Sequence, residues 1–164
     1  MKVHAPVLEG KGVFFRTMGY HLLKGRHSHI GQVYSVTTVT EQRTPILRDF
    51  HLGRLVVDQL RSHDQVGHTR SLAWVVMPDH IHWLFELQAR SLGVVMCQLK
   101  SRSSLSLNQT PHSHGRVWQM GYHERAVRQD QDLKTIARYI IFNPVPAGLA
   151  RRVGEYPLWD AAWL

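Results

Sequence analysis

The pattern of apolar and polar positions predicts strands and helices in a regular order after an irregular start. Residues 71–77 (SLAWVVM) form a nearly unbroken apolar run, which is typical of a central strand buried on both faces. After Asp49, whose side chain suits a helix N-cap, apolar residues return at helical spacing. In chain order the predicted elements are strand 32–40, helix 51–63, strand 71–77, strand 80–87, helix 92–107, a strand or extended segment at 115–127, and helix 130–142.

The first six of these elements have the order of a ferredoxin-like sandwich. That arrangement is an α+β fold in which an antiparallel sheet carries its helices on one face. The seventh element is a C-terminal helix, with Asp130 as its predicted N-cap and Pro144 as its stop, and a tail follows it. Residues 1–30 lack clear periodicity and are predicted to form an irregular arm.

Composition narrows the class of protein. The 164 residues are 43% hydrophobic and 20% charged, and no apolar run is long enough for a membrane span. The single cysteine, Cys97, excludes an internal disulfide framework and a multi-cysteine zinc site, and residues 1–12 lack the apolar core of a secretory signal. These features favour a single cytoplasmic domain.

The charge balance favours a polyanionic partner. Twenty Lys and Arg against twelve Asp and Glu give a net charge of +8 and a sequence pI near 10.2, so nucleic acid leads the candidates. A solvated basic face without a ligand is the alternative. Between residues 88 and 129 only Glu124 opposes six basic residues, which are Arg90, Lys100, Arg102, Arg116, Arg125 and Arg128.

A metal site is indicated by His80 and His82. On a strand, residues two apart project from the same face, so both imidazoles are free to bind one ion while Ile81 faces the core. The alternative is a pair of surface histidines, and His27 and His29 repeat the spacing within the arm. The buried strand that precedes His80 favours the first pair, because metal ligands need rigid placement.

Tyr139 and Asn143 lie four residues apart on the last predicted helix, and therefore on one face, about 40° apart around its axis. Both fall at the margin of the apolar stripe, where a side chain can point into a cleft. From the spacing alone, Tyr139 is equally well explained as a packing residue with its hydroxyl in water.

The motifs taken together resemble a known family. MPDHIHWLFEL, KSRSS, VWQMGYHERAVR, ARYIIFNPVPAGL and YPLWDAAWL resemble, in this order, the REP-associated tyrosine transposases, which belong to the IS200-like, single-tyrosine branch of the HUH nucleases. The segment GRHSHIGQVYSVTTVTEQRTPI resembles the family's first strand and the arm before it. The resemblance implies one domain at residues 19–164 after an irregular extension at 1–18.

The resemblance implies an activity and a set of site residues. Tyr139 would be the nucleophile that cleaves and rejoins single-stranded DNA through a 5′-phosphotyrosine, and His80, His82 and Asn143 would hold Mg²⁺ or Mn²⁺. The expected partner is single-stranded DNA with palindromic REP-type hairpins, bound by a monomer or homodimer. One departure is Pro146, where the family usually has arginine. Candidate DNA contacts are Lys24, Arg26 and His27 in the arm, and Lys100, Arg102, Arg125 and Arg128 beyond it.

Two other functions stay open from the sequence. A protein of the same fold could recognise hairpins without cutting them, although the intact set of His80, His82 and Tyr139 argues against that reading. A zinc-dependent hydrolase could use the two histidines, but neighbouring Asp79 and Glu86 form no recognisable hydrolase motif.

Overall fold

The computed structural model describes residues 27–111, 113–128 and 131–163. Within them lie five strands, three α-helices and three short 3₁₀ segments, the last at Glu41–Arg43, Ile46–Arg48 and Val153–Glu155. The longer elements are β1 (Val33–Val39), α1 (Phe50–Gln65), β2 (Thr69–Val76), β3 (His80–Leu87), α2 (Leu92–Asn108), β4 (His123–Ala126), α3 (Leu133–Phe142) and β5 (Trp159–Ala161).

The strands form one antiparallel sheet in the order β4-β1-β3-β2-β5. The first four positions are those of the predicted ferredoxin-like sandwich, so the α+β fold is confirmed. β3 lies at the centre, where Thr37 of β1 and Val75 of β2 both pair with His82. β5 extends the sheet beyond β2 and was not predicted, because three residues of tail carry too little pattern.

One face of the sheet is covered by α1 and α2. Ile81, Trp83, Phe85 and Leu87 of β3 all point to this side and join the apolar faces of both helices in the larger core cluster. Asp49 caps α1 as predicted, accepting hydrogen bonds from the backbone N–H groups of the first turn at 2.8 and 3.1 Å. The alternation of β3 therefore leaves its other residues, His82 among them, on the opposite face.

The opposite face is covered by α3. Ala137, Ile140 and Ile141 pack with Leu84 of β3 and Val75 of β2 in a second core cluster. α3 contacts β2, β5 and β3. Since Leu84 and His82 share a face of β3, the helix that carries Tyr139 lies on the same side of the sheet as the histidines.

Two predicted boundaries are wrong. The segment expected as a strand or extended segment over 115–127 contributes only His123–Ala126 to the sheet, plus an isolated bridge between Trp118 and Thr40. The Trp118 side chain is buried and its indole N–H donates to Ser103 Oγ of α2 at 2.9 Å, so this stretch packs against α2 and does not form a continuous strand. α3 begins at Leu133 with Asp132 as its N-cap, whereas Asp130 lies outside the described residues.

Of the helices in the described ranges, none has the length and apolar character needed to cross a bilayer.

Candidate active site

The two histidines stand at the start of the central strand. Their rings lie at right angles to each other, with centroids 4.8 Å apart. β1 flanks them on one side and β2 on the other, so the backbone under both side chains is hydrogen-bonded along both edges. This gives the pair the rigid placement that a metal site requires.

Each histidine has a hydrogen-bond partner at its Nδ1 atom. Asp79 Oδ1 lies 2.6 Å from Nδ1 of His80, and Thr37 Oγ1 lies 2.8 Å from Nδ1 of His82. When Nδ1–H donates to such an acceptor, the lone pair of Nε2 is available for a metal ion. Sequence reasoning missed Thr37, because nothing in TTVT marks a threonine that will face a histidine on a neighbouring strand.

Burial keeps His82 neutral. Loss of solvent, with a smaller effect from His80, lowers the pKa of His82 to about 4, although the Asp79 charge acts in the opposite direction. For Asp79, burial alone would raise the pKa, but the hydrogen bond from His80 and the ion pair with Arg43 outweigh it and lower the pKa below its ordinary value. A ligating imidazole must be neutral, so the lowered pKa leaves His82 in the form that can bind a metal ion.

α3 presents Tyr139 and Asn143 together, as the spacing predicted. Tyr139 is 64% exposed, which is compatible both with a nucleophile and with a packing residue whose hydroxyl lies in water. Asn143 ends the helix, and its Nδ2 donates to the backbone oxygens of Tyr139 at 3.0 Å and Ile140 at 2.9 Å. Those bonds use the amide nitrogen and leave the amide oxygen available as a ligand.

The structure brings His80 and His82 side by side, and two adjacent imidazoles could hold a divalent ion with open coordination positions. Among the described residues no group of three His, Cys, Asp or Glu side chains could hold a metal ion. An ion on the two imidazoles would therefore keep positions for further ligands such as phosphate oxygens or water, as expected of a catalytic site and not of a closed structural site.

The predicted DNA contacts are spread over the molecule. Arg125 pairs with Ser35 on β1, two residues from Thr37, and so projects on the same side of the sheet as His82. Arg102 is exposed on α2, in the layer on the other side. Lys100 is engaged within the protein, since its ammonium donates to the backbone oxygens of Gln119 and Gly121 at 2.6 and 2.7 Å.

His27 and Arg128 lie at the far end of the strands from the histidine pair. Gly31 N donates to Leu87 O at 2.7 Å, which ties the segment with the exposed His27 to the end of β3. Leu87 is seven residues beyond His80, or about 23 Å along the strand. Arg128 follows β4 at this same end. Lys24 and Arg26 lie outside the described residues.

Curated proteins resemble this chain in sequence over about half of its length. A REP-associated tyrosine transposase of Escherichia coli K12 is 31% identical over 87 residues, which are 52% of this chain and 50% of that protein. A Haemophilus influenzae protein described as a candidate of the same kind is 28% identical over 98 residues, 53% of this chain and 56% of its own length. The chain thus matches about half the length of these curated relatives.

A solved structure shares the fold. The structure of a REP-associated tyrosine transposase bound to a REP hairpin superposes with a TM-score of 0.66, at 21% identity, covering 87% of this chain and 82% of that one. The model of the family described as "Transposase IS200 like" matches residues 29–142, from the segment before β1 to the last residue of α3. Because that match takes in most of the chain, the chain belongs to the IS200-like transposase family.

Proposed function

We propose that the chain is a metal-dependent single-stranded DNA endonuclease and strand transferase that acts on REP-type hairpins through a 5′-phosphotyrosine. The observation that carries the proposal is the position of an exposed tyrosine on the helix that covers the histidine face of the sheet. The relatives described as REP-associated tyrosine transposases support the choice of substrate.

The residues proposed to hold Mg²⁺ or Mn²⁺ are His80 and His82, through Nε2, and Asn143, through its amide oxygen. A bound ion would make the phosphate more electrophilic and stabilise negative charge on the departing oxygen. The chain's own contribution is placement, because the sheet fixes the imidazoles before any ligand arrives.

Tyr139 supplies the nucleophile. Its hydroxyl oxygen attacks the phosphorus as the hydroxyl proton is lost, and the bond from phosphorus to the 3′ oxygen breaks. The departing oxygen gains a proton and becomes a 3′ hydroxyl, while the downstream strand stays linked to the tyrosine through its 5′ phosphate. Attack by another 3′ hydroxyl on that linkage reverses the step and joins two strands without ATP.

The decisive experiment uses single-stranded oligonucleotides containing the palindromic repeats that flank the gene, labelled at the 3′ end, with Mg²⁺ or Mn²⁺. Wild type should form a labelled covalent protein adduct that survives denaturing electrophoresis. Tyr139→Phe should form none while binding the hairpin normally, because only the attacking oxygen is removed. Tyr122→Phe is the matched control, since this partly buried tyrosine packs against the core, and it should form the adduct.

Two results would contradict the proposal. Hairpin binding by wild type with no adduct in either metal would identify a non-cleaving DNA-binding protein. Stoichiometric zinc that resists chelators would favour the hydrolase reading.

A further inference from the structure

The two histidines of the site are held by chemically different partners. His80 faces a carboxylate, which can only accept a hydrogen bond when ionised and so places the proton on Nδ1. His82 faces a hydroxyl, which can donate or accept, so its bond allows either tautomer of the ring. The carboxylate of Asp79 therefore fixes the tautomer of His80, while the hydroxyl of Thr37 orients the ring of His82 without fixing its tautomer.

Asp79 is itself anchored by a loop. Its second oxygen, Oδ2, accepts from Arg43 at 3.1 Å, and its backbone oxygen accepts from Thr40 Oγ1 at 2.9 Å. Gln42 and Arg43 both have left-handed backbones, with φ of 52° and 53°. Such conformations are strained for residues with a side chain and persist only where surrounding contacts hold them. Here the ion pair to Asp79 is one of those contacts.

We propose that Asp79 and Thr37 are positioning residues that set the metal affinity of the histidine pair, and that Arg43 acts on His80 through Asp79. This inference rests on the proposed function, because it assigns the roles of residues around the same metal site. Groups that hydrogen-bond to a ligating histidine typically change metal affinity by about 10- to 100-fold when removed. In this assignment none of the three residues is a ligand of the ion, and each acts through a histidine.

The test measures Mn²⁺ binding to the free protein by electron paramagnetic resonance, with no DNA present. Thr37→Val and Asp79→Asn should each raise the Mn²⁺ dissociation constant by about tenfold or more. Valine removes the hydrogen-bond partner of the His82 ring, and asparagine replaces an acceptor-only carboxylate with an uncharged amide that can also donate, so the proton of His80 is no longer fixed on Nδ1. Thr37→Ser should bind as wild type, since it restores the hydroxyl. Arg43→Ala should cause a smaller rise, about two- to fivefold, because its ion pair with Asp79 is solvent-exposed.

Matched controls separate this role from a general loss of structure. Thr38 is the neighbouring β1 residue, buried, and its hydroxyl has no hydrogen-bond partner among the described residues, so Thr38→Val should leave Mn²⁺ binding unchanged. Arg48→Ala is the control for Arg43, being an exposed arginine in the next short 3₁₀ segment. Thermal unfolding of each variant, measured in parallel, should not follow the order of the dissociation constants.

The outcomes distinguish this inference from the function on which it rests. Binding curves of Thr37→Val and Asp79→Asn that overlay wild type would overturn the positioning role, even if wild type cleaves DNA. Unchanged Mn²⁺ binding by a His80→Ala, His82→Ala double variant would overturn the metal site itself. Weakened binding in the first two variants with loss in the double variant would support the inference whether or not cleavage is observed.

Discussion

Asn143 turns its side-chain amide back onto the helix that carries Tyr139, with Nδ2 3.0 Å from the tyrosine's backbone oxygen. The same nitrogen lies 2.9 Å from the backbone oxygen of Ile140. These bonds help to satisfy carbonyl groups in the last turn of the helix, where the Ile140 oxygen also accepts the backbone N–H of Asn143 at 3.3 Å. Asn143 therefore has a capping role in the structure whatever its role toward a metal ion, and the two roles use different atoms of one amide.

Substitutions at Asn143 should separate those roles. Asn143→Ala should lower the melting temperature, because the Tyr139 carbonyl loses its side-chain donor and the Ile140 carbonyl keeps only the backbone N–H of residue 143. It should also raise the metal concentration needed for cleavage, because the proposed ligand oxygen is lost. Asn143→Asp should lose stability as well, since a carboxylate cannot donate to carbonyls and is unfavourable at a helix C-terminus. It should nevertheless keep the metal requirement of wild type.

The measurements are thermal unfolding and metal titrations of cleavage. A titration of Asn143→Ala that overlays wild type would leave capping as the residue's whole function.

Arg125 should contribute to DNA binding more than Arg102. Arg125 projects from β4 on the side of His82, whereas Arg102 lies on the opposite layer. Each phosphate contact adds about one to the slope of log affinity against log salt concentration, so Arg125→Ala should lower that slope by about one. Arg102→Ala should change it less. Equal slopes for wild type and Arg125→Ala would show that the bound DNA strand does not cross β4.

Stability should fall in acid because of a buried histidine outside the site. His63 on α1 is 1% exposed, its ring lies against Trp83 and His68, and neither ring nitrogen has a hydrogen-bond partner among the described residues. Burial first, and then the positive charge of His68 and of Arg102, lower the pKa of His63 from 6.5 to about 4. The folded state therefore binds this proton less readily than the unfolded state does.

Acid should therefore destabilise the folded state through His63. Between pH 6.5 and about pH 4 protonation favours the unfolded chain, and His63 alone removes up to about 3 kcal/mol of the free energy of unfolding. In His63→Leu the free energy of unfolding should fall less steeply with decreasing pH. Urea unfolding measured across this pH range tests this. His114→Leu, at an exposed position, is the control and should keep the slope of wild type. An unchanged slope in His63→Leu would show that the ring is solvated.

A methyl group added to α1 at Gly53 should destabilise the protein, because Leu158 of the C-terminal tail packs there. Gly53 lies against Leu158, and a Cβ built at residue 53 would overlap the leucine side chain. Overpacking of this kind typically costs about 1–3 kcal/mol, so Gly53→Ala should lower the free energy of unfolding despite alanine's better helix propensity. Gly93→Ala on α2, where a Cβ would meet nothing within 4 Å, should not destabilise the protein. Equal stability of the two variants would contradict the packing of Leu158.

Local pattern was enough to predict β3 and the metal-binding candidates on it. The alternation HIHWLFEL predicts its own two faces, because side chains on a strand alternate wherever the strand lies, and the structure places Ile81 and Trp83 in one core cluster and Leu84 in the other. The four-residue spacing of Tyr139 and Asn143 likewise predicts that they share a face of α3.

What required the tertiary structure is what lies next to those residues. Thr37 is 45 residues away from His82 in sequence, and only the pairing of β1 with β3 brings its hydroxyl to Nδ1. Arg43 reaches Asp79 through a strained loop that no periodicity describes. Local spacing determines which side chains share an element, whereas strand order and register determine which elements meet, since those depend on the packing of the whole core.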